Sequence, residues 1–282
     1  MTVVPDITIQ TKTSGRLALT VDHEALTITK TKGHHHIILR NVISAKLDKE
    51  IKTVSISYVT KLKTGKKNLH LVTDEGTVDE EHLSKAEEWV EKVMRLCYDG
   101  VKRSRTLLVL VNPHGGVKKG VAIFHKKVEP IFKLAGCTLQ IKYTTHKNHG
   151  LEIVKSAALD TIDAVVTVSG DGLVHEVLNG FAQHPEPLKA LRIPVAPIPT
   201  GSGNGLSLNL LGLQDGFDVV AASINVIKGK PMKVDLFSFT QDNNRVISFM
   251  SQSMGLMADL DIGTEHLRWM GDSRFMYGMV RG

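Results

Sequence analysis

Along the first 78 residues, apolar side chains come in short β-branched runs, several alternating with polar ones, at 17–21, 25–29, 36–39, 54–59 and 69–72. A period of two marks a half-buried strand, and the Gly-, Asp- and Lys-bearing stretches between the runs supply turns. From residue 79 the period lengthens. Acidic residues at 79–81 suit a helix N-terminus, and Leu83, Ala86, Trp89, Val90, Val93, Met94 and Cys97 fall on one stripe, which predicts an amphipathic helix over 79–98. Strands closed by one such helix resemble a pleckstrin-homology-like module, and the pattern leaves open whether it binds lipid or only packs on a neighbour.

The basic stretch 101–105 marks a boundary, beyond which strand and helix patterns alternate. Runs at 107–111, 138–143 and 163–168 predict strands, while 118–135, 150–159, 173–182, 206–211 and 217–228 predict helices. Such alternation implies a parallel sheet with crossover helices. Pro194, Pro197 and Pro199 cannot donate to a ladder, so 193–199 is a poor central strand and is expected as an extended or edge segment. After Gly229 a β pattern returns at 232–239 and 246–254 around the polar turn 241–244. The expected architecture is an all-β module with a closing helix and basic linker over 1–105, an α/β parallel-sheet domain over 106–229, and the start of an antiparallel β domain over 230–282.

Three glycine-bearing turns each follow a strand or extended segment: 112–116 (NPHGG), 169–172 (SGDG) and 201–205 (GSGNG). Glycine lets a phosphate approach the main chain, and helix N-termini supply N–H groups and partial positive charge. The three turns together therefore describe a phosphate-binding rim at the carboxyl ends of strands, where open α/β sheets place ligands. No Walker pattern occurs, and no Gly-x-Gly-x-x-Gly opens the first helix. Asp171, in the middle turn, can accept a proton from an attacking hydroxyl or help hold magnesium; alternatively it caps the helix starting at Leu173. His175 reads as a packed helix residue, and Glu176 could face a nucleotide. His34, His35 and His36 could suggest a metal site or a tag remnant, but three histidines between a turn and a strand read as an exposed hairpin flank.

Composition narrows this little. With 42% apolar and 23% charged residues the chain is ordinary for a globular protein, and its net charge of +6 favours anionic partners such as nucleotide phosphates or an acidic membrane surface. No nucleic-acid-binding motif supports a DNA or RNA partner. Cys97 and Cys137 form neither a disulfide framework nor a zinc pattern, and residues 1–6 carry no secretory signature, so a cytoplasmic location is expected.

The ordered set NPHGG (112–116), TTHKN (144–148), SGDGLVHEVLNG (169–180), TGSGNGL (200–206) and GLMADLDIGTEHLRWMGDSRF (255–275) resembles the diacylglycerol-kinase catalytic superfamily and, within it, the sphingosine or long-chain-base kinases. The resemblance covers roughly 106–282. It implies a nucleotide-binding α/β domain joined to an antiparallel lipid-binding β domain. It also implies transfer of the γ-phosphate of ATP, with Mg²⁺, to the primary hydroxyl of a sphingoid base at a peripherally visited membrane. By that resemblance Asn112, Pro113, His114, Gly115, Gly116, Thr144, Thr145, His146, Lys147, Asn148, Glu176, Gly201, Ser202 and Gly203 are nucleotide contacts. Arg268 and Arg274 reach its phosphates. Ser169, Gly170, Asp171 and Gly172 form the catalytic and substrate turn, with Asp171 as general base, and Asp261 recognises the amino-alcohol head. An ammonium that diacylglycerol and ceramide lack gives such a carboxylate its selectivity.

Two departures stand out. The stretch Ile262-Gly263-Thr264-Glu265 is less acidic than sphingosine kinases usually are there, and no Asp-Gly-Glu motif occurs near the C-terminus. Most of the lipid domain is missing from the sequence, so a C-terminally incomplete chain is expected. The competing readings are a ceramide or diacylglycerol kinase, and a non-catalytic membrane-binding or scaffold protein. Oligomeric state is not legible.

Overall fold

The computed structural model describes residues 7–12, 15–30, 33–61, 68–116, 118–250, 255–270 and 273–281, the side chains of 257, 268, 269 and 281 excepted. Its contacts fall into two compact units. One is built from the chain up to Ser104 with Pro130–Cys137 and Ile227–Gly229; the other comprises Arg105–Glu129, Thr138–Val226 and Lys230–Gly282.

In the first unit, seven antiparallel strands β1 (Ile7–Thr11), β2 (Gly15–Val21), β3 (Ala25–Lys30), β4 (Gly33–Ile38), β5 (Val42–Asp48), β6 (Thr53–Lys61) and β7 (Leu69–Thr77) lie in the order β4-β3-β2-β1-β7-β6-β5. Alternation buries Ile7 and Ile9, Leu17 and Leu19, and Leu26 and Ile28 on one face, where helix α1 (Leu83–Cys97) adds Ala86, Trp89, Val93, Met94 and Cys97. The apolar stripe thus does what its spacing predicts. Two strands, β1 and β5, lie outside the five runs read from the sequence. In β5 a register shift between Val42 and Ser44 leaves four successive residues buried, which erases the alternation that marks a strand.

In the second unit, β8 (Thr106–Val111), β9 (Thr138–Tyr143), β10 (Ala164–Ser169) and β11 (Val195–Pro199) form a parallel sheet in the order β11-β10-β8-β9. β8 and β10 are central and buried on both faces, as a place under crossover helices requires. The proline-rich β11 is an edge strand, where missing N–H donors are tolerated.

After β8 come α2 (Gly120–Ile123), a π-helical turn at Phe124–Val128 and α3 (Glu129–Leu134). Next are α4 (His149–Lys155), α5 (Asp171–Ala182), α6 (Pro187–Ala190), α7 (Gly205–Asp215) and α8 (Val219–Lys228). Leu173, Val177 and Phe181 of α5 and Val154 of α4 pack on Leu108, Leu110 and Val165 of the sheet. A two-stranded antiparallel sheet follows, β12 (Phe237–Gln241) with β13 (Asn244–Ser248), shorter than the runs read from the sequence; positions 251–254 of the second run lie outside the described residues. The described part ends in α9 (Leu256–Gly263), a 3₁₀ turn at Glu265–Met270 and α10 (Ser273–Arg281). The expected class therefore holds: a β module with a closing helix, a parallel α/β sheet, and an antiparallel pair. No helix among the described residues is both long and apolar enough to cross a membrane.

Candidate active site

Parallel pairing brings four carboxyl ends into one rim. Val111 is level with Val168 and Tyr143, and Ser169 is level with Pro199. The connections after these strands are the turns singled out by sequence, and they bond one another. The Asn112 N–H donates to Val168 O at 3.1 Å, its side-chain amide to Ser169 Oγ at 3.3 Å, and its Oδ1 accepts the His114 N–H at 2.9 Å. The Thr200 N–H donates to Ser169 O at 3.1 Å, and the Asp171 N–H to Gly203 O at 3.0 Å.

The glycines of this rim divide into two kinds. A Cβ on Gly116, whose φ is +54°, would lie 2.6 Å from Thr200 O, and one on Gly170 or Gly201 would overlap the other's turn. These glycines let loop press on loop. Gly172 has nothing within 4 Å of where its Cβ would stand, and Gly203 only Asp171 Oδ2 at 3.5 Å. Protein packing requires glycine at neither, so both leave open space for a ligand to approach the main chain.

Asp171 is half-buried at the start of α5, yet it does not cap that helix, which has no side-chain cap. Instead Oδ2 accepts the Gly205 N–H at 2.6 Å and Oδ1 the Leu206 N–H at 3.0 Å, so Asp171 sits on the N-terminus of α7. Glu176 has a parallel arrangement: Oε1 accepts the Asn148 N–H at 3.0 Å and Oε2 the Gly150 N–H at 2.9 Å, which fixes the start of α4. Both carboxylates meet the positive end of a helix and keep further lone pairs outward. Sequence spacing gave no sign of either long-range cap.

The 144–148 loop is ordered by its own side chains. Thr144 is buried; the Thr145 N–H donates to His149 Nδ1 at 3.1 Å; and the His146 ring stacks on His149 at 4.6 Å while Nε2 meets Glu152 at 3.1 Å. Asn148 holds φ 68°, a left-handed value Asn tolerates, and Lys147 is exposed. His175 is half-buried, and burial pushes its imidazole below the ordinary value, with Glu176 opposing.

Two residues inside the quoted motifs, given no role of their own by the sequence, also shape the site. Asn204, 8% exposed, closes the 201–204 turn by accepting the Gly201 N–H at 3.2 Å and donating to Gly201 O at 2.8 Å. Asn179, 6% exposed, imitates a strand: Oδ1 accepts the Ile247 N–H and Nδ2 donates to Ile247 O, both at 2.8 Å, which ties α5 to β13. An Asn inside an apolar helix pattern was the available signal.

The C-terminal candidates are placed differently. The guanidinium of Arg274, 7% exposed, pairs with the Asp261 carboxylate, donates to Asp261 O at 3.3 Å, and lies 4.3 Å over the Phe275 ring. The two charges meet each other, whereas the family resemblance gives one to a phosphate and the other to an ammonium. Arg268 lies in the 3₁₀ turn, and its side chain is outside the described residues.

Convergent glycine turns, helix N-termini and an acidic residue thus meet at one end of a parallel sheet, an arrangement whose chemistry suits a phosphate. Residues 106–239 match the family model of the diacylglycerol kinase catalytic domain, and residues 6–99 match a domain of unknown function. Among relatives, sphingoid long chain base kinase 4 of Schizosaccharomyces pombe is 36% identical over 193 residues, covering 68% of this chain and 42% of its own. Sphingoid long chain base kinase 5 of Saccharomyces cerevisiae is 32% identical over 219 residues, 76% of this chain and 31% of its own. Sphingosine kinase 1 of Arabidopsis thaliana is 38% identical over 183 residues, 64% of this chain and 37% of its own. The kinship with sphingosine kinases expected from the motifs is borne out over this stretch, which spans less than half the length of each of these relatives.

Proposed function

We propose that this chain carries the ATP-binding and phosphoryl-transfer part of a lipid kinase acting on the primary hydroxyl of a sphingoid base. The observation that carries the reading is Asp171: an ionisable group at the meeting point of the glycine turns, beside the open flanks of Gly172 and Gly203. In this reading the 112–116, 169–172 and 201–203 turns and the 144–148 loop cradle the nucleotide. Asp171 takes the hydroxyl proton as its oxygen attacks the γ-phosphorus, in line with the departing ADP oxygen. Glu176 acts by shaping the 144–148 loop. Residues 106–229 form the nucleotide domain, and 230–282 open the lipid-holding part. Asp261 serves the head group once a competing ammonium parts it from Arg274, which then becomes available to phosphate.

Magnesium, when bound, neutralises charge on the transferring phosphates. Among the described residues no three His, Cys, Asp or Glu side chains gather into a cage, so the residues present do not fit a protein-built magnesium site. The ion is assigned to the nucleotide's own phosphates and water. The proposal also takes the enzyme to be cytoplasmic and peripherally bound to anionic membranes, which sedimentation with anionic vesicles tests. The substrate reading is tested by offering sphingosine, ceramide and diacylglycerol with labelled ATP: label enters sphingosine first, and equal labelling of diacylglycerol overturns it.

A further inference from the structure

The histidine run at 34–36 lies on β4, an end strand of the seven-stranded sheet, and the strand's alternation divides it. His35 turns one way: its Nε2 meets Thr60 Oγ1 at 3.2 Å and its ring stands edge-on to Tyr58 at 5.8 Å. His34 and His36 turn the other way, onto an exposed face, each opposite a threonine of β3. His34 pairs in register with Thr29 and His36 with Thr27. Each pair is also bonded through the same ring atom: His34 Nδ1 meets Thr29 Oγ1 at 3.0 Å, and His36 Nδ1 meets Thr27 Oγ1 at 2.9 Å.

Holding Nδ1 has a chemical consequence. A metal ion binds neutral imidazole through one nitrogen, and a hydrogen-bond partner on the other fixes tautomer and ring direction. With Nδ1 tied to a hydroxyl, which can accept from Nδ1–H as readily as donate to it, Nε2 is the ligating atom on both rings. Side chains two apart on a strand root about 7 Å from each other on the same face. Imidazole arms of that separation can converge on one ion at about 2.0–2.1 Å from each nitrogen.

From this juxtaposition we infer that His34 and His36 are the paired protein ligands of a transition-metal site of the imidazole-preferring divalent class, with Thr29 and Thr27 orienting them. Among the described residues no third His, Cys, Asp or Glu joins a cluster there, so water completes the coordination and the site is open. It lies in the β module and is independent of the kinase reading.

The test is titration of the 282-residue chain with Zn²⁺ by calorimetry, alongside NMR of the histidine rings. The inference predicts one event in which His34 and His36 signals move first. Either His34→Ala or His36→Ala weakens it at least about tenfold, and Thr27→Val with Thr29→Val weakens it about 10–100-fold while leaving the circular dichroism unchanged. His82→Ala, at an exposed histidine elsewhere in the module, leaves it intact. A double His34→Ala, His36→Ala variant that folds and binds Zn²⁺ as the parent does overturns the inference, as does a parent that binds no Zn²⁺.

Discussion

Asp171 Oδ2 accepts the main-chain N–H of Gly205 at 2.6 Å, across 34 residues of chain. One carboxylate therefore ends the turn after β10 and begins the helix after β11, so both turns are set by the side chain to which the proposed mechanism gives the proton. Two main-chain N–H groups hold Asp171 in place, and preorganisation of this kind is what the proposed general-base role requires.

The division of the glycines predicts opposite effects of the same substitution. Gly170→Ala places a methyl against Gly203 O and Gly201 and should destabilise the fold by about 1–3 kcal/mol, the usual range for overpacking. Gly172→Ala meets open space inside the first turn of α5, and should stabilise by up to about 1 kcal/mol while weakening ATP binding. Thermal melts with and without ATP separate the two.

Asn179→Asp keeps the acceptor for the Ile247 N–H but replaces the donor to Ile247 O with an oxygen. The exchange should cost about 1–3 kcal/mol locally and release β13 from α5. Amide hydrogen exchange at Ile247 reports this directly: protection falls there, while the amides of β8 and β10 keep theirs.

Lys228 makes the β module's stability depend on pH. Its ammonium donates to Leu39 O and Val42 O and lies 4.6 Å over the Tyr98 ring, yet burial pulls its pKa from 10.5 to about 8, with Cys97 opposing and Arg40 adding to the fall. Between those values the unfolded chain binds more protons than the folded one, so stability rises with pH. Burial lifts Cys97 from 9.0 to about 11, which works the other way above pH 9. The clean window is therefore pH 8 to 9, where the gain should be about 1 kcal/mol per unit. Urea melts followed by Trp89 fluorescence in a Trp269→Phe background should show this rise, and Lys228→Met should flatten it.

Regular elements were legible wherever burial is one-sided or complete. The α1 stripe, the apolar β8 and β10, and the proline-marked edge β11 follow from period and composition. Two features were not. The bulge in β5 breaks alternation by burying four neighbours in a row, and the π turn at Phe124–Val128 changes the spacing inside an apparently plain helix. That the glycine turns and Asp171 meet at one rim was legible, because a parallel sheet gathers the turns that follow its strands at one edge. Their partners were not, since the caps Asp171 on α7 and Glu176 on α4 join residues 34 and 28 apart, and the Asp261–Arg274 pair joins residues 13 apart by three-dimensional approach alone.

The central claim is that the Asp171 turn is where a γ-phosphate meets a sphingoid hydroxyl, and the most direct measurement is label transfer from ATP to sphingosine by the parent chain and by Asp171→Asn. Asparagine preserves the shape and one N–H acceptor while removing the proton acceptor. The account predicts that transfer falls at least about 100-fold, far beyond what the loss of one N–H acceptor, about 1–3 kcal/mol of local stability, accounts for. An Asp171→Asn chain that phosphorylates sphingosine at the parent rate would contradict it.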